Sequence, residues 1–178
     1  MGGGAADVIR GMGGDDIVYA GDGDDRVTTV DGQDLVYAGA GNDWVWTGAG
    51  NDEIYGETGS DVIYAGIARD ASFPDGDPSS RNTVSGGAGD DLIMADFGID
   101  TLFGEEGDDR IYALGGDDRV EAGSGDDIVY GGAGSDTIVG GEGRDVIFAG
   151  ISATGGGAAT DRNTVYGDTE TAEPDLPG

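Results

Sequence analysis

Ala122-Gly123-Ser124-Gly125-Asp126-Asp127-Ile128-Val129-Tyr130 is one copy of a nine-residue unit that fills most of the chain. With its places numbered one to nine, Gly125 stands at place four, Asp127 at six and Val129 at eight. Tyr130, at nine, faces outward. Laid from Gly2, the frame gives seven uninterrupted repeats over 2–64, then an eighth swollen to span 65–85. Seven more follow over 86–148, then a swollen sixteenth over 149–166 and an acidic tail over 167–178. The insertions correspond too: Ala65-Gly66-Ile67-Ala68 answers Ala149-Gly150-Ile151-Ser152, and Arg81-Asn82-Thr83-Val84 answers Arg162-Asn163-Thr164-Val165. The chain therefore reads as two eight-repeat blocks, 2–85 with an insertion at 67–81 and 86–166 with an insertion at 151–162. Self-similarity at a short fixed period marks a solenoid, an architecture that single-residue propensities would miss.

Place eight reads Ile9, Val18, Val27, Val36, Val45, Ile54, Ile63, Val84, Ile93, Leu102, Ile111, Val120, Val129, Ile138, Ile147 and Val165. Every one is aliphatic and only Leu102 is not β-branched, the signature of a strand with its middle residue turned inward. A three-residue strand over places seven to nine is expected in each repeat. Two strands and two turns would close one coil of eighteen residues, so odd repeats build one wall and even repeats the other. Each turn then stacks on the turn one coil away, with strands about 4.8 Å apart.

Place six reads Asp7, Asp16, Asp25, Asp34, Asp43, Asp52, Asp61, Asn82, Asp91, Asp100, Asp109, Asp118, Asp127, Asp136, Asp145 and Asn163. The two Asn fall in the swollen repeats. Place four is glycine at Gly14, Gly23, Gly32, Gly41, Gly50, Gly59, Gly89, Gly98, Gly107, Gly116, Gly125, Gly134 and Gly143, with Ala5 as the exception in the first repeat. Gly there admits positive φ and brings backbone carbonyls close to whatever the aspartates hold. Stacking places Asp109, Asp127 and Asp145 in one file and Asp100, Asp118 and Asp136 in another.

The chain carries 37 acidic and 8 basic side chains, a formal charge of -29, with no His and no Cys. A compact fold with that charge repels itself unless cations are taken up in quantity. Nucleic acid and anionic membranes are poor partners for it, since both require basic surface, and neither nucleic-acid binding nor a membrane span is expected. Thiolate and imidazole metal sites are excluded as well, and a hard divalent cation with oxygen ligands fits what remains. Ca²⁺ suits such a site better than Mg²⁺, which demands strict octahedral geometry and dehydrates reluctantly. The plainer alternative is that Asp and Gly are ordinary turn formers and the acids are solvated. A nine-residue register kept along the whole chain argues against it.

These repeats resemble the glycine- and aspartate-rich nonapeptide of the RTX (repeats-in-toxin) family, G-G-x-G-x-D-x-U-x. Gly86-Gly87-Ala88-Gly89-Asp90-Asp91-Leu92-Ile93-Met94 and Gly131-Gly132-Ala133-Gly134-Ser135-Asp136-Thr137-Ile138-Val139 match it at every defined place. The resemblance implies an all-β, right-handed parallel β-roll, here of about eight coils. It implies Ca²⁺ held between turns by the place-six Asp side chains and turn carbonyls, with a chain disordered until calcium is bound. It also implies type I secretion into an extracellular, calcium-rich medium, beside a toxin, protease, lipase, epimerase or adhesin portion that these repeats do not contain. No basic start with an apolar centre precedes residue 30, so a secreted chain is expected either to leave by a route that reads no such N-terminal signal or to be a fragment of a longer one. If each vertical pair of aspartates holds one ion, the files take multiple Ca²⁺, roughly eleven at most, offsetting about 22 charges. Sites involving Asn82 and Asn163 are expected to be weak or empty.

Places seven and nine face outward. The odd wall displays Trp44, Trp46, Tyr64, Tyr112, Tyr130 and Phe148, a face that would suit a second copy, a missing domain or a glycan ring. The alternative is a cross-strand ladder that stabilises a roll with little core. The insertions are expected on one edge of the roll. Asp70, Asp75 and Asp77 there would offer oxygen ligands, though a solvated loop accounts for them better. No enzyme is expected from the repeats themselves. The carboxylates stand in equivalent settings that would not differentiate into an acid and a base, and the turn serines have no base beside them.

Overall fold

The computed structural model describes residues 3–66, 78–150 and 162–167. Sixteen strands alternate between two parallel eight-stranded sheets. The odd wall is β1 (Val8–Arg10), β3 (Arg26–Thr28), β5 (Trp44–Trp46), β7 (Val62–Tyr64), β9 (Leu92–Met94), β11 (Arg110–Tyr112), β13 (Ile128–Tyr130) and β15 (Val146–Phe148). The even wall is β2 (Ile17–Asp22), β4 (Leu35–Ala40), β6 (Glu53–Thr58), β8 (Thr83–Ala88), β10 (Thr101–Glu106), β12 (Arg119–Ser124), β14 (Thr137–Glu142) and β16 (Thr164–Tyr166). Within each wall, strand order follows chain order, and each strand pairs with the one a full coil away. Ile111↔Val129 and Val120↔Ile138 show the eighteen-residue register. Across the insertions the pairing is retained, as in Ile54↔Val84 and Ile138↔Val165. The result is an all-β parallel β-roll of about seven turns, consistent with right-handed winding. Eight strands in each wall, two to a coil, agree with the expected β-roll, and about seven full turns separate the first strand from the last.

Place eight forms the core. From Val27 to Ile138 every member of the column is fully buried, Leu102 included, while Ile9 and Ile147 at the ends are only partly covered. A second buried column lies at place one, with Ala20, Ala38, Ala65, Ala95, Ala113 and Ala122 all at 0% exposure. Place one carries only Gly, Ala or Thr, and a Cβ added at Gly56 or Gly104 would already press on a place-six carboxylate and on the carbonyl of the next coil.

The two edges of the roll differ, which the uniform three-residue expectation did not anticipate. Strands of the even wall from β2 to β14 have six residues, running on through places one to three of the following repeat. The pairing skips place one and resumes, as in Tyr19↔Tyr37 followed by Gly21↔Gly39. Place two takes positive φ at that bend, at Gly123 (φ 120) and even at Glu57 (φ 77) and Glu105 (φ 83). The strand thus turns the corner without losing its partner. Among the described residues the other edge, from odd to even strands, continues no strand; isolated bridges such as Asp31↔Ala49 and Gly115↔Ala133 join its turns, with backbone hydrogen bonds such as Thr29 N–H to the Trp46 carbonyl. Both insertions interrupt this less bonded edge. Most of them, 67–77 and 151–161 with Asp70, Asp75 and Asp77, lies outside the described residues, as does the tail over 168–178.

Candidate metal centre

The parallel register places each place-six side chain over the backbone of the one before it. Along the odd file the Asp7 N–H donates to Asp25 Oδ1, Asp25 to Asp43, Asp43 to Asp61 and Asp61 to Asp91, each at 2.7 Å. Asp91 donates to Asp109 and Asp109 to Asp127 at 2.8 Å, and Asp127 to Asp145 at 3.1 Å. The even file runs the same way from Asp16 through Asp34 and Asp52 to Asn82, then through Asp100, Asp118 and Asp136 to Asn163. Both asparagines keep their rung, because the amide Oδ1 accepts as a carboxylate would.

The second oxygen is treated differently. Oδ2 of Asp16, Asp25, Asp34, Asp43, Asp61, Asp91, Asp109, Asp118, Asp127 and Asp145 is buried and accepts no hydrogen bond, whereas the carboxylates of Asp52 and Asp100 are also approached by the Thr47 and Asn82 side chains. One such atom costs on the order of 1–3 kcal/mol, more when charged, so two files of them require a positive partner.

The geometry shows where that partner would fit. A Cβ built on Gly104 would lie 2.2 Å from Asp109 Oδ2 and 2.2 Å from the Ala122 carbonyl oxygen of the next coil. At Gly56 the corresponding distances are 2.5 Å to Asp61 Oδ2 and 2.3 Å to the Gly86 carbonyl. Two acceptors that converge on one point cannot bond each other, but a hard cation can join them. Among the described residues no three acidic side chains converge. A Ca²⁺ with its usual six to eight oxygens would therefore draw most of its shell from backbone carbonyls.

The carbonyls that lie beside Oδ2 of Asp61 and Asp109 belong to place one. The place-four carbonyls instead stack on the next place four. A Cβ on Gly125 (φ 139) would meet the Gly107 carbonyl oxygen at 2.1 Å. Gly98 departs from the series: it is not among the positive-φ glycines, and its neighbour is Ser80, which occupies place four of the swollen repeat.

Burial of this array raises carboxyl pKa values throughout the middle of the roll. Burial, reinforced by neighbouring carboxylates and opposed by the ladder N–H, pushes Asp118 up to about 8 and Asp61 and Asp109 up to about 7. Asp100 reaches about 7 and Asp52, Asp91 and Asp127 about 6, again chiefly through burial, and Asp43 is raised for the same reason.

A second ladder stands at place five, which the repeat pattern leaves undefined. It runs in the opposite direction: Asp108 N–H donates to Asp90 Oδ1 at 2.9 Å, Asp126 to Asp108 at 2.8 Å and Arg144 to Asp126 at 3.0 Å. Its side chains are exposed. The signal was present in the sequence, since place five is mostly Asp, Asn or Ser, short acceptors suited to bonding a neighbouring turn.

On the odd wall, Tyr112, Tyr130 and Phe148 stack in series, with ring centroids 4.8 Å apart in each pair. Trp44 meets Tyr64 at 5.9 Å, and the Arg26 guanidinium lies 4.4 Å from the Trp44 ring centroid. Trp46 is paired in register with Tyr64. The even wall has its own ladder of Tyr19, Tyr37 and Tyr55.

Fold and site together define a repeat solenoid whose turns present stacked carboxylates to a hard cation. The chain matches the family described as RTX calcium-binding nonapeptide repeat (4 copies) over residues 1–36, 28–63, 37–70, 79–102, 94–129 and 121–152. These matches cover most of its length, and the chain belongs to this calcium-binding repeat family. A comparison with curated proteins finds no match.

Proposed function

We propose that the chain is a calcium-dependent folding module of a secreted protein, and that its place-six aspartates, with turn carbonyls, hold roughly ten Ca²⁺. The observation that carries this reading is the pair of files of buried, donor-less Oδ2 atoms. Without cations the chain stays open under its own charge, and on reaching a calcium-rich medium it closes into the roll. Type I export of the open chain, followed by folding outside the cell, accords with family membership and with that charge. The module has no catalytic role of its own. A far-UV spectrum taken in chelator and then in millimolar Ca²⁺ tests the proposal: a change from coil to β-structure is expected, and an unchanged spectrum refutes it.

The second reading is a partner or glycan-binding face on the odd wall, supported by the partly exposed aromatic rings there. A Trp44→Ala, Trp46→Ala double variant separates the two. Loss of self-association or of glycan binding, with calcium-dependent folding intact, supports the face. Unchanged association leaves the rings as a stabilising ladder.

A further inference from the structure

We propose that the two files differ in their need for calcium: the odd file, Asp7 to Asp145, is the edge that cations must hold, whereas Thr29, Thr47, Asn82 and Asn163 stand in for the cation along the even file. This rests on the calcium reading of the aspartate files. It extends the expectation for Asn82 and Asn163 to neighbouring rungs whose place six is aspartate.

The odd file has no neutral donor to offer. Place one of the odd repeats is always Gly or Ala, and place six is Asp in every one of them. From Asp25 to Asp145 each Oδ2 of this file is buried with no hydrogen-bond partner. The burial of Asp61, Asp91, Asp109 and Asp127 is opposed only by the backbone N–H of the aspartate one coil earlier.

The even file is furnished differently. The Thr29 hydroxyl, in a residue at 0% exposure, donates at 3.0 Å to the Thr47 carbonyl. That is the place-one carbonyl of the next coil, equivalent to the Ala122 carbonyl beside Asp109. The Thr47 hydroxyl, equally buried, approaches the Asp52 carboxylate and opposes the effect of its burial. Asp100 is approached by the Asn82 side chain and the Asp96 backbone. At the last rung the Asn163 amide donates to the Ala149 carbonyl, and a Cβ on Gly131 would lie 2.8 Å from that carbonyl and 2.7 Å from Asp136 Oδ2. Asp96, a further buried carboxylate on this edge, lies beside Asn82 across Gly66. It has donors of its own in the Ser80 hydroxyl at 2.7 Å and the Gly98 N–H at 2.8 Å. Asp16 and Asp118, whose Oδ2 atoms accept nothing, keep the odd-file pattern.

A buried acceptor with no donor bears its full desolvation cost, so it gains more from a cation than one that a hydroxyl or amide already faces. The rungs at Asp34, Asp52, Asp100 and Asp136 can therefore close with less help from an ion than any rung of the odd file. Both insertions interrupt the even-file edge, where closure depends least on ions.

Calcium titration of the full chain, followed by circular dichroism, tests this. Asp109→Asn, in the odd file, should raise the calcium midpoint for folding several-fold, and Asp52→Asn should move it little. Thr47→Val keeps the size of the side chain and deletes the hydroxyl, so it should raise the midpoint, while Thr47→Ser should not. Equal rises for Asp109→Asn and Asp52→Asn, or a silent Thr47→Val, overturn the inference and leave the calcium reading standing. A parent chain that does not fold on calcium overturns both. Should Asp109→Asn not fold at any calcium concentration, calcium anomalous scattering from crystals of the parent chain decides. Higher occupancy along the odd file than at Asp34, Asp52, Asp100 and Asp136 supports the inference, and equal occupancy overturns it.

Discussion

The backbone N–H of Asp109 donates to Oδ1 of Asp127 one coil later, at 2.8 Å, while Oδ2 of Asp127 is buried with no donor. One carboxylate thus ties two coils through Oδ1 and, in the proposed calcium site, keeps Oδ2 for the ion, and substitutions separate the two. Asp127→Asn retains an Oδ1 acceptor and loses the charge. It should raise the Ca²⁺ concentration needed for folding while leaving the fold at saturating calcium unchanged. Asp127→Ala also strands the Asp109 N–H, which costs a further ~1–3 kcal/mol. Calcium titrations followed by circular dichroism, with melting of the loaded protein, distinguish the variants.

Proton uptake should stand in partly for calcium. The buried aspartates have folded-state pKa values raised from 3.8, to about 8 at Asp118, about 7 at Asp109 and about 6 at Asp127. A raised value means that the roll binds protons more tightly than the open chain does. The resulting stabilisation is complete below the unfolded value and is lost as pH rises through the folded ones. In chelator, β-structure should therefore increase as pH is lowered from about 8 toward 4. In the same range apparent calcium affinity should fall, because binding must displace those protons. A chelated chain whose spectrum does not respond to pH would contradict this.

Gly125 should tolerate no side chain. Its φ is 139, and an added Cβ would lie 2.1 Å from the Gly107 carbonyl oxygen, which is backbone and cannot swing aside. Gly125→Ala is expected to cost more than ~1 kcal/mol. Gly13 serves as the control, since the nearest atom to its Cβ position is the Asp31 carbonyl oxygen at 3.8 Å and its φ is not positive. Gly13→Ala should stay within about 0.5 kcal/mol. Comparable melting losses in the two would refute the close-packed stacking of place four.

The roll was legible because its two strongest columns are one-dimensional signals. Val129 and its counterparts report the core, and Asp127 and its counterparts report the files, each at a fixed period. Three features were not legible, each for a physical reason. The corner at Glu57 and Glu105 needs positive φ from residues that rarely adopt it, so composition gave no hint of six-residue strands. Place one looks unremarkable as Ala or Gly, although Ala122 is fully buried and its carbonyl faces Asp109 Oδ2 across Gly104. Asp96 breaks the nine-residue pattern, and a reading organised by that pattern treats a break as noise. Only the fold shows that it lies beside Asn82.

Asp126 and Asp127 are adjacent, identical in type and opposite in consequence. Asp127 N–H reaches forward to Asp145 Oδ1, whereas Asp126 N–H reaches back to Asp108 Oδ1. Asp126 in turn accepts from the Arg144 backbone at 3.0 Å and pairs with the Arg144 guanidinium at the surface. That hydrogen-bonded pairing holds its carboxyl below the usual range, but the pair is exposed and screened by solvent, so its worth to stability is small. Asp126→Ala should therefore lower the melting temperature only slightly and leave calcium-induced folding where it was, and high salt should erase most of the difference. Asp127→Ala should shift both strongly. Equal shifts in the calcium midpoint from the two substitutions would mean that place five also binds the ion, and that the exposed ladder is more than a tie between turns.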